Sequence, residues 1–269
     1  EVMSIRKLVI VGGVAGGASA AARARRLSED LDITLIERGP DVSTATCGMP
    51  YHLGGEIEEL SKLRVRTPEA LARRLGIRVL VKHEVQAVDP EGRKLKVVEL
   101  DTGAELEFDY DALLLSVGAS PIRPPIPGIE RPGHFVLRDL RDLSDIDAWI
   151  REQDARRAVV IGGGFIGLEL AEQLRHRGLE VELVEAADQV QRTLDPEMAA
   201  HLHRELEANG VGLHLSRAAE AFEAPGDGEL AAASVVRLAG GERLLADLVI
   251  LSIGVRPNSE LARAAGLEL

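Results

Sequence analysis

Two stretches of this chain, starting 150 residues apart, share one layout, and that repeat constrains the fold more than any other feature. In the first, Lys7-Leu-Val-Ile-Val11 reads as a buried parallel strand and Gly12-Gly-Val-Ala-Gly-Gly17 as a turn. A helix follows over 18–28, then a second strand over 32–37 that ends on Glu37. In the second, Ala158-Val-Val-Ile161 leads into Gly162-Gly-Gly-Phe-Ile-Gly167, a helix to about Arg177, and a strand over 180–185 that ends on Glu185. Strand, glycine turn, helix, strand and acid together make a mononucleotide-binding pattern. The first glycine allows the tight turn, the middle one lets a diphosphate approach the backbone, and the third packs helix on strand. The helix N-terminus then offers free N–H groups to phosphate. The acid accepts hydrogen bonds from ribose hydroxyls and repels a 2′-phosphate. Glu37 follows Gly12 by 25 residues and Glu185 follows Gly162 by 23, against a usual spacing of about 20. Val14 replaces the middle glycine of the first copy.

A further repeat supports the layout: Tyr110-Asp-Ala-Leu-Leu-Leu-Ser-Val-Gly-Ala-Ser-Pro121 echoes Ala246-Asp-Leu-Val-Ile-Leu-Ser-Ile-Gly-Val-Arg-Pro257. The pattern predicts an α/β chain of two Rossmann-like three-layer domains, each with a small inserted β-sheet. The expected bounds are 1–120 for a first nucleotide domain, 121–251 for a second, and 252–269 for a return segment to the first. Pro121 to Pro132 reads as the crossover linker. Strands at Ile77–Val81 and Lys94–Leu100 are expected to form the first inserted sheet, and 204–251 to repeat that arrangement.

The net charge of −12 argues against a nucleic-acid partner. No apolar run approaches the roughly 18 residues of a membrane span. Arg6-Lys7 and the alanine-rich stretch after it mimic a secretory leader, but the glycines there serve the nucleotide turn better. A single cysteine excludes a disulfide scaffold and fits a reducing, cytoplasmic compartment. Cys47 lies ten residues beyond Glu37. Without a second cysteine, its oxidised forms are a mixed disulfide, a persulfide or a sulfenic acid; the plain alternative is a buried small hydrophobe. Gly48-Met-Pro50 suits a helix start. His201 and His203 point apart on a helix and read as a solvated face, with no metal site indicated. His52 reads as a loop histidine, and 151–157 as a solvated helix end.

The whole chain resembles the flavin-dependent pyridine nucleotide–disulfide oxidoreductases, in the single-cysteine branch of coenzyme A-disulfide and persulfide reductases. The carrying motifs are the two glycine turns, Cys47-Gly-Met-Pro-Tyr51, Gly162-Gly-Gly-Phe-Ile-Gly-Leu-Glu169 and Ser252-Ile-Gly-Val-Arg-Pro-Asn258. That resemblance implies FAD on the first unit, with Gly12, Val14, Ala15, Gly17, Glu37, Arg38, Val85, Ser116 and Gly118 as cofactor residues. It implies NADH, in preference to NADPH, on Gly162, Gly164, Phe165, Ile166, Gly167, Glu169, Glu185 and Gly254. Phe165 would shield the flavin until NADH arrives, and Glu169 would lie near nicotinamide and flavin. Cys47 would be the redox residue. Arg23, Arg26 and Ser43 match positions that hold coenzyme A phosphates, and Thr46 stands where an asparagine is usual beside the cysteine. The implied reaction is NADH-driven reduction of a small disulfide or persulfide, coenzyme A being the expected carrier. The competing readings are an NADH oxidase or peroxidase cycling through sulfenic acid, and a nucleotide-binding fragment without turnover. Ala15 replaces the histidine that the peroxidases carry in the first turn. Beyond Leu269 the family continues with a flavin-binding Gly-Asp segment and a dimerisation domain, so a homodimer is expected of the longer protein.

Overall fold

The structure, a computed structural model, describes residues 5–226 and 232–269. It divides into two compact units: 1–45, 61–119 and 257–269 form one, and 46–60 with 120–256 form the other. The segment holding Cys47 thus clusters with the second nucleotide unit.

In the first unit, β1 (Lys7–Val11), β2 (Asp32–Ile36), β3 (Arg78–Leu80) and β7 (Ala112–Leu115) form a parallel sheet in the order β3-β2-β1-β7. Side-chain alternation decides its layers. Ile10, Ile33 and Leu35 pack with Ala18 and Ala21 of α1 (Gly16–Leu27) and Leu71 of α3 (Pro68–Leu75). Val9, Val11 and Ile36 face the other way, onto Leu95, Val97 and Tyr110. That second cover is the antiparallel sheet of β4 (His83–Asp89), β5 (Lys94–Glu99) and β6 (Glu105–Asp109). The expected strand at Ile77–Val81 therefore lies elsewhere than predicted. It is the edge strand of the parallel sheet, because α3, capped by the Thr67 side chain and ended by Gly76 at φ +59°, returns the chain alongside β2. The inserted sheet instead begins at His83.

The second unit repeats this plan after β8 (Ala119–Pro121). Its parallel sheet runs β12-β11-β10-β16-β9, from β9 (His134–Phe135), β10 (Arg157–Ile161), β11 (Glu180–Val184), β12 (Val211–His214) and β16 (Leu248–Leu251). Its inserted sheet is β13 (Ala219–Glu223), β14 (Ser234–Leu238) and β15 (Arg243–Ala246). Val159, Ile161, Val184 and Val249 meet Phe222, Val236 and Leu238 of that sheet. Its longer helices are α4 (Leu140–Glu152), α5 (Phe165–His176) and α6 (Pro196–Ala208). The chain leaves through β17 (Val255–Pro257) and ends with α7 (Glu260–Ala264) in the first unit.

The repeated aspartates before the last parallel strand do the same work in each unit. Asp111 Oδ2 accepts the N–H groups of Arg6 and Lys7, each at 2.8 Å. Asp247 Oδ2 accepts those of Arg156 and Arg157 at 3.0 and 2.9 Å, while its Oδ1 meets Arg157 Nη2 at 2.7 Å. Each carboxylate thus ties its own strand to the start of the neighbouring one. Arg157, expected on a solvated helix end, instead opens β10, where the Asp247 pairing and partial burial hold it.

Candidate nucleotide sites and the cysteine segment

The first glycine turn is dictated by space. Gly12 adopts φ +97°, and a Cβ there would strike the carbonyl of Ser116; a Cβ on Gly17 would strike the carbonyl of Gly12. Only glycine lets helix and turn close so tightly. Glu37 is held from both sides, Oε2 accepting from Gly13 N–H and Oε1 from Gly39 N–H, both at 2.7 Å. The N–H of Ser43 (φ +50°) donates to Gly13 carbonyl at 2.9 Å. α1 has no side-chain cap and no acid in its first turn, whereas Thr67 and Asp139 cap α3 and α4. An uncapped N-terminus behind a glycine turn fits a nucleotide diphosphate.

The other predicted residues of this unit divide by surroundings. Arg38 pairs with Glu84 at 3.5 Å, and Val85 packs into the core between the two sheets. Gly118 takes φ +67°, its carbonyl accepting from Asn258 N–H at 3.0 Å. Arg23 and Arg26 stand exposed, three residues apart on α1. Arg25 between them is structural, bonding the carbonyls of Leu75 and Gly76 at 2.7 and 2.9 Å.

The second turn reproduces the first. Gly162 has φ +109° and abuts the Ser252 carbonyl, and a Cβ on Gly167 would collide with the Gly162 carbonyl. Glu185 Oε2 accepts from Gly163 N–H at 2.7 Å and Oε1 from Ala187 N–H at 2.8 Å. Gly164 has open space where a Cβ would stand, and α5 is again without a side-chain cap or first-turn acid. Open space at Gly164 matches the presence of Val14 at the corresponding place in the first turn. Phe165 is 71% exposed and Ile166 40% exposed. Both line a cleft of about 650 Å³ with the glycine turn, Glu185 and Gly254. That cleft also contains Arg192 and Arg217, which sequence reasoning missed because neither directly follows the acid.

Cys47 is exposed, in a single helical turn over Thr46–Gly48 that leads into α2 (Met49–Leu53). Met49, Pro50 and Leu53 are buried, and α2 packs on α4 and α5. Arg177 just beyond α5 donates to Leu53 carbonyl at 3.1 Å and to Asp147 Oδ1 at 2.8 Å. Gln173 of α5 donates to Glu56 Oε1 at 2.9 Å. The Tyr51 phenol titrates above its usual range, first because of Glu169's negative charge, then burial, Glu172, Glu56 and Cys47. His52 lies on α2 rather than a loop, its Nδ1 2.6 Å from Ile57 carbonyl. His203 also departs from the solvated face expected of it, since its Nε2 accepts the N–H of Val190 at 3.2 Å.

The family model described as pyridine nucleotide-disulphide oxidoreductase matches residues 6–269. The chain belongs to that family. Its fold is thus the paired dinucleotide-binding architecture of the family, consistent with two glycine cradles of one design. A Methanocaldococcus jannaschii protein named NADH oxidase is 36% identical over 264 residues, covering 98% of this chain and 57% of the relative. A coenzyme A disulfide reductase of Staphylococcus haemolyticus is 32% identical, covering 98% and 58%. Among solved structures, reduced Bacillus anthracis CoADR-RHD superposes with a TM-score of 0.94 at 45% identity, covering all of this chain and 47% of that one. A NAD-dependent persulfide reductase from A. fulgidus gives 0.91 at 37% identity, covering 98% and 48%. The chain spans somewhat over half the length of these curated relatives. Among the described residues, no helix is long and apolar enough to cross a membrane.

Proposed function

We propose that the longer protein to which these units belong uses NADH to reduce a small disulfide or persulfide through Cys47, with coenzyme A as the thiol carrier. The observation that carries this is the placement of the chain's one cysteine, exposed in a turn that leads into α2, which packs on α5, the helix that follows the second glycine turn. A Cys47 thiolate attacks one sulfur of the substrate disulfide, expels the other as a thiolate that takes a proton from water, and is left in a mixed disulfide. Two electrons and a proton then release the second thiol. With a persulfide substrate, attack on the outer sulfur expels the carrier as a thiolate and leaves the persulfide on Cys47, and two electrons then restore the Cys47 thiolate and release hydrosulfide.

The cradle around Gly12–Gly17 and Glu37 would hold the adenosine diphosphate half of FAD, and that around Gly162–Gly167 and Glu185 that of NADH. FAD bound there supplies the relay that splits hydride transfer from disulfide reduction. Glu185, facing the ribose, favours NADH over NADPH. Exposed Arg23 and Arg26 on α1, with Ser43, would meet the phosphates of coenzyme A, and Thr46 would neighbour the reacting sulfur. The longer protein is expected to act as a homodimer in the cytoplasm, a reducing compartment in which a single free cysteine persists.

The test is Cys47→Ser in the full-length protein. Flavin reduction by NADH should persist, while turnover of coenzyme A disulfide and persulfide falls at least a thousandfold. Undiminished disulfide turnover would overturn the assignment, and peroxide turnover outpacing both sulfur substrates would favour the oxidase reading.

A further inference from the structure

Each glycine turn lies under a valine. A Cβ on Gly13 would stand 2.8 Å from Val42 Cγ1, and one on Gly163 would stand 2.8 Å from Val190 Cγ1. The residues that follow, Ser43 and Gln191, share a left-handed backbone at φ +50° and +47°. Their N–H groups donate to the Gly13 and Gly163 carbonyls, both at 2.9 Å. The two valine segments thus have one design, yet they are anchored differently. In the first unit the anchor is backbone: Val65 N–H donates to the Ser43 carbonyl at 2.9 Å and Ala45 N–H to the Leu63 carbonyl at 2.8 Å. In the second unit it is a side chain from another element. His203 of α6 accepts the Val190 N–H on Nε2 at 3.2 Å.

An imidazole nitrogen accepts only when it carries no proton, so this bond places the His203 proton on Nδ1. Val190 is fully buried, and without the imidazole its N–H would be an unsatisfied buried donor. The chain can relieve that only by shifting the segment until the N–H meets water. Such a shift would carry Gln191, which lines the cleft with Glu185 and the second glycine turn. Gly163, whose carbonyl Gln191 holds, donates its own N–H to Glu185 Oε2 at 2.7 Å. His203 is thus joined to Glu185 through Val190, Gln191 and Gly163. His201, two residues earlier on α6, has no such link; it is exposed and accepts from Arg204 Nη2 at 2.8 Å.

We infer that His203 is a positioning residue for the second nucleotide cradle: through the Val190 N–H it holds 189–191 against the glycine turn, and nucleotide affinity there depends on its acceptor nitrogen. This rests on reading that unit as the nicotinamide-nucleotide site.

The test is calorimetric titration of the full-length protein with NAD⁺ and with ADP-ribose, for the unmodified protein and for His203→Leu, His203→Gln, His203→Asn and His201→Leu. Leucine fills the space without an acceptor. Glutamine sets its amide oxygen at the reach of Nε2, whereas asparagine ends at that of Nδ1. His203→Leu and His203→Asn should weaken both ligands roughly tenfold, and His203→Gln should restore them to within about threefold of the unmodified protein, as one buried acceptor implies. His201→Leu should change neither. Nitrogen-15 shifts of the His203 ring should show Nδ1 protonated and Nε2 bare. If His203→Leu does not fold, the difference between the glutamine and asparagine variants decides. Affinity unmoved in a folded His203→Leu, equal affinities of the glutamine and asparagine variants, or a protonated Nε2 would overturn the inference. Failure of NAD⁺ to bind the unmodified protein would overturn the underlying reading of the unit as well.

Discussion

At the scale of single residues, glycines in equivalent-looking motifs carry different constraints. Gly167 is fixed by contact with the Gly162 carbonyl, whereas Gly164 faces open space. Gly167→Ala should therefore cost roughly 1–3 kcal/mol, the range for forced overpacking, and weaken NAD⁺ binding, as seen by urea unfolding and titration. Gly164→Ala should cost less than about 1 kcal/mol, its effect confined to nucleotide affinity. Equal destabilisation by both would contradict the geometry. The spacing of the motif revealed that glycines were needed; which one is a steric necessity depends on carbonyls brought in from β16 and the turn itself.

At the scale of elements, the repeated aspartates act as clasps between parallel strands. Burial pushes the Asp247 carboxyl upward, but Arg157 and the amides of Arg156 and Arg157 outweigh it and hold the group below its usual range. Asp111 is lowered as well, chiefly by the amides of Arg6 and Lys7. A depressed carboxyl contributes stability above its unfolded value of about 3.9, which is lost as pH falls through the folded value. Asp247→Ala should thus cost about 1.5–3 kcal/mol near neutral pH, the range for hydrogen bonds to a charged group. The gap from the unmodified protein should close below about pH 4, as denaturant midpoints across pH would record. A gap that persists in acid would show that packing, not charge, accounts for the loss. The sequence exposed these acids as a repeat. Their partners lie 105 and 90 residues away and became visible only when the strands were paired.

At the scale of the whole molecule, each unit has its own core: Ile10, Ile33 and Leu35 centre one, and Val159, Val236 and Val249 the other. Ligand that binds one unit's native state stabilises that unit by mass action. NAD⁺ at 100 times its dissociation constant should raise the second unit's unfolding free energy by about 2.7 kcal/mol. Calorimetry should then show one transition moving up more than the other, and a shift of both together would mean the units unfold as one. The segment 46–60, consecutive in sequence with the first nucleotide fingerprint, clusters with the second unit, so the local stability of Cys47 should follow NAD⁺ binding.

The sequence by itself determined the architecture, because strand, glycine turn, helix and acid are local patterns whose spacing reports backbone geometry and helix-terminus chemistry. It also singled out Glu37, Glu185 and the lone Cys47, since residue type limits what each can do. Tertiary structure alone decided that Arg78–Leu80 completes the parallel sheet rather than the inserted one, since its hydrogen-bond partner is β2, more than forty residues earlier. It alone placed Arg192 and Arg217 beside Glu185 and seated α2 on α5. Those arrangements depend on pairing and packing between distant segments, which neither spacing nor composition encodes.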